Sequence, residues 1–202
     1  MTKETILNGD TTALVTGASA GIGKAVAVAL SAQGVRVICT ARRVDRLNAL
    51  VEELQNPALA FELDVADGDA VDRLLYELPE EWRDIDILVN NAGHDLGGRQ
   101  AFHKRAAADI AATIETNSTG LIRTTLAILP MMQARGRGHI INMGSSSGLD
   151  WVANHSVYVA SKCAVHGFTN SLRQELQGSG VRLTEILPGL VRTEFAAAPN
   201  IR

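Results

Sequence analysis

Tyr158 and Lys162 stand four residues apart in Tyr158-Val159-Ala160-Ser161-Lys162. On a helix that spacing puts both side chains on one face. An ammonium beside a phenol favours the phenolate and draws the phenol down from its ordinary value of about 10. A phenol tuned in this way can exchange a proton with an alcohol or a ketone near neutral pH. Taken alone, Tyr-x-x-x-Lys is common by chance and equally describes a solvated pair on an ordinary helix. Ser145 lies thirteen residues before Tyr158, at the end of an apolar stretch that reads as a strand from Gly138 to Met143. A hydroxyl at a strand's C-terminal end lies on the ligand side of an open parallel sheet and can face the tyrosine across a pocket. Ser146 and Ser147 adjoin it, so three serines compete for that place.

A second group of residues lies near the N-terminus. Thr12 to Thr16 is apolar and partly β-branched, which reads as a short buried strand. Gly17-Ala18-Ser19-Ala20-Gly21-Ile22-Gly23 follows at once, and an Ala/Val/Leu-rich helix from Lys24 to Gln33 stops at Gly34. Strand, glycine turn and helix together place a pyrophosphate on a helix N-terminus. Glycine serves the tight turn and lets backbone approach phosphate closely. A third feature, Asn90-Asn91-Ala92-Gly93, directly follows the apolar run Ile85 to Val89.

The elements that must hold these groups alternate along the chain. Strands are predicted over Ala13–Thr16, Val35–Thr40, Leu59–Leu63, Ile87–Asn90, His139–Met143 and Arg182–Ile186. Helices are predicted to begin near Ile22, Val44, Gly68, Ala106 and Ser156, with helical apolar spacing such as Leu47, Leu50, Val51 and Leu54. Strands joined by helix-length crossovers imply right-handed βαβ units. The fold class is therefore α/β, a doubly wound parallel sheet of Rossmann type with helices on both faces. Pro130 is expected to kink or end the helix that follows Asn117. At 202 residues, the chain is read as one domain over 1–202.

With these residues in order, the chain from about Thr12 onward resembles the short-chain dehydrogenases/reductases. The resemblance rests on Thr-Gly-x-x-x-Gly-x-Gly at Thr16–Gly23, Asn-Asn-Ala-Gly at Asn90–Gly93, the set Ser145, Tyr158 and Lys162, and Pro-Gly-x-x-x-Thr at Pro188–Thr193. Leu78 to Val89 and Leu187 to Phe195 look similar to NADP-dependent 3-hydroxy acid dehydrogenases, serine dehydrogenases included. The loop His94-Asp95-Leu96-Gly97-Gly98-Arg99 departs from that pattern by being more polar.

The resemblance implies an oxidoreductase acting on a small carbonyl or alcohol substrate, possibly a short 3-hydroxy acid. It implies Tyr158 as acid/base, Lys162 as its tuner and ribose ligand, and Ser145 as donor to the substrate oxygen. Asn117 would hold a water in the proton relay. Gly17, Ser19, Gly21, Ile22, Gly23, Asp64, Val65, Asn91, Ala92, Gly93, Pro188, Gly189 and Thr193 would bind cofactor alongside Tyr158 and Lys162. The position after the second strand, where an acid would bond the adenosine ribose, is Ala41, followed by Arg42 and Arg43. A guanidinium grips a 2′-phosphate bidentately, so the expected cofactor is NADP. Asp64 suits the adenine amino group, the N-cap of the next helix, or both.

The substrate pocket is expected to draw on Asp150, Trp151, Asn154 and His155. Arg99 or Arg192 could meet a carboxylate, although solvated surface arginines are the plainer reading. His94 and His155 read as loop polar groups, and no Cys/His spacing points to a metal. Cys39 and Cys163 read as reduced, buried thiols. A net charge of −3 gives no basic footprint for nucleic acid. No run is long and apolar enough for a membrane span, and no signal core is present, so a cytoplasmic setting is expected.

A homotetramer is expected through the helices around Ala106–Gln133 and Ser156–Gln177, on the apolar residues Leu121, Leu126, Ile128, Val165, Phe168 and Leu172. The resemblance also implies a helix and a seventh strand beyond Arg202, so a truncated chain is expected, with a shortened relative as the alternative. Glu194 to Arg202 would then be a weakly anchored lid, with Thr193 reaching the nicotinamide amide when NADP is bound. The other function class is a non-catalytic NADP-binding sensor on the same fold.

Overall fold

The computed structural model describes residues 9–196. Six strands form one parallel sheet: β1 (Thr12–Thr16), β2 (Arg36–Ala41), β3 (Ala58–Glu62), β4 (Ile87–Asn90), β5 (Gly138–Met143) and β6 (Val181–Ile186), in the order β3-β2-β1-β4-β5-β6. Helices α1 (Gly21–Ala32), α2 (Val44–Glu53), α3 (Gly68–Glu77), α4 (Ala107–Ile114), α5 (Leu121–Arg135) and α6 (Ser156–Glu175) make the crossovers. The doubly wound architecture is the one expected. Every strand starts and ends within a residue of its expected bounds.

Each residue of β1 is buried, as a strand covered on both faces must be. Its side chains alternate between two cores. Leu14 joins Ile38, Leu88 and Ile140 beneath Leu74 of α3, Ile128 and Met132 of α5, and Leu172 of α6. Ala13 and Val15 join Val37, Cys39 and Val89 beneath Ala27 of α1 and Leu47 and Leu50 of α2. Strand order reverses between β1 and β4, which opens a crevice at their C-terminal ends.

Several local expectations are corrected. Pro130 does not end its helix: α5 runs on to Arg135 and stops at Gly136, whose φ of 62° is the left-handed conformation glycine adopts at helix ends. The N-cap of α3 is Asp67, which accepts from the Ala70 N–H at 3.1 Å, while Asp64 accepts from the Ala66 N–H in a local turn. The long helix expected after Ala106 is interrupted by a π-helical turn over Glu115–Gly120. Of the six apolar residues assigned to an intersubunit face, Leu121, Ile128, Val165 and Leu172 are buried within this chain and Phe168 packs against the core. Leu126, 68% exposed, is the one left to solvent. Cys39 is buried, with its thiol pushed up to about 12, whereas Cys163 is only half-buried; both are free. Among the described residues, no helix is long and apolar enough to cross a membrane, and no cluster of acids, histidines or cysteines could hold a metal.

Candidate active site

A cavity of about 470 Å³ occupies the crevice. Gly17, Ser19, Gly21 and Ile22 form one wall, Arg42, Arg43, Asp64 and Val65 a second, and Asn91, Ala92 and Gly93 the floor. Ser145, Tyr158 and Lys162 line the far end, roofed by Pro188, Gly189 and Thr193. Two expected site residues, Gly23 and Asn117, lie behind the wall.

The glycine turn is built for backbone approach. A Cβ on Gly17, whose φ is +67°, would sit 2.8 Å from Ala92 Cα. Helix α1 begins at Gly21, one residue from its expected start near Ile22, so Gly21, Ile22 and Gly23 make its first turn. Gly23 does not face the cavity: a Cβ there would collide with the Asn91 side chain and the Gly17 carbonyl oxygen. Its part is to let α1 close on the β1 and β4 loops. Thr16 stitches the same loops, its Oγ1 accepting from the N–H groups of Asn91 and Ala92 at 3.0 Å. The α1 N-terminus has no side-chain cap and no acid in its first turn. Its N–H groups therefore suit an anionic ligand.

At the other end of that wall, Arg43 donates to Ser19 Oγ at 2.9 Å. Arg42 lies 3.7 Å from Asp64. Arg43 and Arg46 both reach Glu194, at 3.3 and 2.7 Å. The segment after Thr193 is thus anchored, against expectation. Phe195 also meets Tyr158 edge-on at 5.6 Å. The rest of the expected lid, residues 197–202, lies outside the described residues.

At the chemical end, Ser145 is the serine of the three that acts on the Tyr158 phenol, favouring its phenolate. Its Oγ also accepts from the Ser147 N–H at 3.1 Å, capping a 3-10 turn over Ser146–Gly148. Tyr158 and Lys162 share one face of α6, but their coupling is not the one expected. Burial pushes the Tyr158 phenol above its ordinary value, the Ser145 hydrogen bond pulls it down, and the Asp95 charge pushes it up. Lys162 is itself buried, its Nζ donating to the Met143 carbonyl at 2.7 Å. Burial brings that ammonium down to about 8, partly opposed by Glu185. The phenol is thus protonated at neutral pH, because desolvation outweighs any pull from the lysine.

Asn117 sits in the π turn with its side chain fully buried and fully engaged. Oδ1 accepts from the His94 N–H at 2.8 Å, and Nδ2 donates to the His94 carbonyl at 2.8 Å and to Ser161 Oγ at 3.1 Å. It clamps the loop after β4. Of the expected pocket residues, Asp150, His155 and Arg99 line the cavity together with His94, whereas Trp151, Asn154 and Arg192 do not.

Three residues near Tyr158 escaped the sequence reading as a unit. Asp95, with a side chain 6% exposed, pairs with Arg105 at 2.8 Å, and the Arg105 side chain is wholly buried. The other Asp95 oxygen lies 2.9 Å from His155 Nε2. The His155 ring stacks on Tyr158, with centroids 4.7 Å apart and planes at 21°. The only advance signal was the polarity of the loop His94–Arg99, since the three residues lie far apart along the chain.

A model of the short chain dehydrogenase family matches residues 11–201. The NADP-dependent 3-hydroxy acid dehydrogenase YdfG of Salmonella typhi is 48% identical over 185 residues, 91% of this chain and 74% of that protein. Its counterpart in Escherichia coli (strain K12) is 46% identical over 190 residues, 94% of this chain and 75% of that one. The closed form of serine dehydrogenase complexed with NADP+ superposes with a TM-score of 0.88 at 44% identity, covering 92% of this chain and 75% of that chain. A metagenomic short-chain oxidoreductase in complex with NADP gives 0.84 at 36% identity, covering 93% and 86%.

Proposed function

The chain belongs to the short-chain dehydrogenase family, and from that premise we propose that it is an NADP-dependent oxidoreductase acting on a small alcohol or carbonyl compound. The observation that carries this is the convergence of Ser145, Tyr158 and Lys162 on one cavity that Arg42 and Arg43 also line.

The residues present fit the dinucleotide. The uncapped N-terminus of α1 suits its pyrophosphate, Gly17 lets the turn before that helix lie against Ala92, and Arg42 and Arg43 suit its 2′-phosphate. Bound there, NADP(H) exchanges a hydride with the carbinol or carbonyl carbon. Tyr158 exchanges the proton with the substrate oxygen. In its protonated state it is set to donate a proton to a carbonyl oxygen. Ser145 donates a hydrogen bond to the same oxygen and stabilises the charge that develops there. Lys162, close to 8, can pass a proton onward toward Tyr158 near neutral pH. Asn117 fixes the main chain of His94 beside them, and the family resemblance assigns it a water in the same relay.

The substrate class proposed is the short 3-hydroxy acids and their keto forms, as in the relatives' names. Arg99 on the cavity wall supports this, being a cation within reach of a carboxylate. Assembly as a homotetramer and residence in the cytoplasm belong to the same proposal; exposed Leu126 supports the first, and light scattering at micromolar concentration tests it.

The functional test is NADPH oxidation with short 3-keto acids and neutral ketones, in the wild type and in Tyr158→Phe. The expected result is turnover in the wild type, and less than a few per cent of it in the variant with NADPH binding retained. Binding of NADPH with no turnover of any carbonyl compound would point instead to a sensor.

A further inference from the structure

Tyr158 carries a built device on one face of its ring. Three residues from three segments converge there: Asp95 from the loop after β4, Arg105 after the 3-10 turn Phe102–Lys104, and His155 at the entry to α6. Arg105 spends its buried guanidinium on Asp95 and on the carbonyl oxygens of Leu96 and Gly98. Asp95 is thereby held with its second oxygen toward His155. The carboxylate accepts, so His155 carries its proton on Nε2. His155 Nδ1 is buried with no hydrogen-bond partner, and a proton there would be an unpaired buried donor. The ring is therefore a neutral imidazole in one tautomer, fastened at one edge and stacked on Tyr158.

The backbone is shaped to the same end. Asn154 has a φ of +62°, the only left-handed non-glycine residue among those described, and it directly precedes His155. Its carbonyl accepts from the Gln100 N–H at 2.9 Å, which ties the two loops together. A strained residue held by a neighbouring loop marks a place where side-chain direction is constrained.

We propose that Asp95 is a positioning residue for proton transfer by Tyr158, acting through His155 and locked in place by Arg105. It has two effects. The tethered imidazole holds the plane of the Tyr158 ring and with it the direction of its hydroxyl. The carboxylate opposes the phenolate, keeping Tyr158 a proton donor to higher pH. Ser145 and Lys162 face Tyr158, while Arg99, Arg105 and Asp95 face His155, whose imidazolium burial disfavours.

The proposal rests on the oxidoreductase reading above, so the wild type and Tyr158→Phe are run beside the new variants. The probes are NADPH and a carbonyl compound that the wild type reduces, with kcat recorded across pH. In Asp95→Asn, kcat should fall roughly tenfold to a hundredfold while the KM for NADPH stays within about twofold. The alkaline limb of the profile should move to lower pH, because the anion that opposed the phenolate is gone. His155→Phe keeps a stacked ring and removes no charge, so kcat should fall with the limb in place. Should Asp95→Asn fail to fold through an unpaired Arg105, the double variant Asp95→Asn/Arg105→Met removes both charges and should show the same displaced limb. An unmoved limb with near wild-type kcat overturns the proposal, whatever the thermal midpoint does. If the wild type is active and Tyr158→Phe is not, such a result sinks this inference alone; an inactive wild type sinks the oxidoreductase reading and this inference with it.

Discussion

Lys162 shows how far a single residue can be read from its neighbours in the chain. Its pairing with Tyr158 was legible from spacing alone. Its energetics were not, because burial is a property of the fold. The folded pKa is about 8 against an ordinary 10.5, so the unfolded chain binds more protons between those values. Stability is therefore full above the unfolded value, declines as pH falls toward 8, and carries the whole cost below it. The cost is on the order of 3 kcal/mol at pH 7. Lys162→Met should thus lose activity yet raise stability toward urea at pH 7, and the gain should shrink by pH 10. A variant less stable at both pH values would contradict the buried-ammonium account. Arg42 and Arg43 invite a different measurement. Replacing both by Ala should weaken NADPH about tenfold to a hundredfold more than NADH, since each charge-assisted bond contributes about 1.5–3 kcal/mol. Equal losses for the two cofactors, read by fluorescence titration, would exclude phosphate recognition.

At the scale of elements, the first turn of α1 decides whether the cavity exists. Gly23 packs the helix onto Asn91 and Gly17, so Gly23→Ala must push α1 outward. Overpacking of this kind costs about 1–3 kcal/mol. A lower thermal midpoint and weakened binding of both NADPH and NADH should appear together; unchanged cofactor affinity would show that the helix can yield without moving the wall. The strands and most helices were legible, because apolar runs of strand length and residues at helical spacing are local signals. What escaped depends on contacts across the chain. Pro130 was read by its local effect, yet α5 is held by Ile128 and Met132 in the core and runs past it. The π turn at Glu115–Gly120 leaves no periodic trace, though it is what turns Asn117 toward His94. Asp67 and Asp64 are equally good caps by type, and only the Ala70 N–H distinguishes them. The glycines at 17, 21 and 23 were identified as one phosphate-binding group, but their tasks divide between lining the cavity and closing a helix on a loop. The site was legible to the extent that it is made of motifs, and illegible where Asp95, Arg105 and His155 meet only in three dimensions.

For the whole molecule, the C-terminal end of the described chain folds back to the cavity wall. The 3-10 turn Glu194–Ala196 lies beyond the last strand, yet Glu194 bridges Arg43 and Arg46 at the start of α2. Hydrogen bonds from Arg46 and Arg43 hold its carboxyl below the usual range, so it is ionised throughout the neutral region. A carboxylate on Arg43 and a 2′-phosphate draw on the same guanidinium. Binding of NADP must then displace Glu194 or share Arg43 with it, whereas NADH makes no such demand. Glu194→Ala should therefore tighten NADPH roughly two- to fivefold, the scale of an exposed ion pair, and leave NADH unchanged. The difference should fade in high salt, because both groups lie at the surface. Titration of both cofactors at low and high salt decides it. Weaker NADPH binding in the variant would mean that Glu194 supports the roof over the cofactor more than it competes for the arginine.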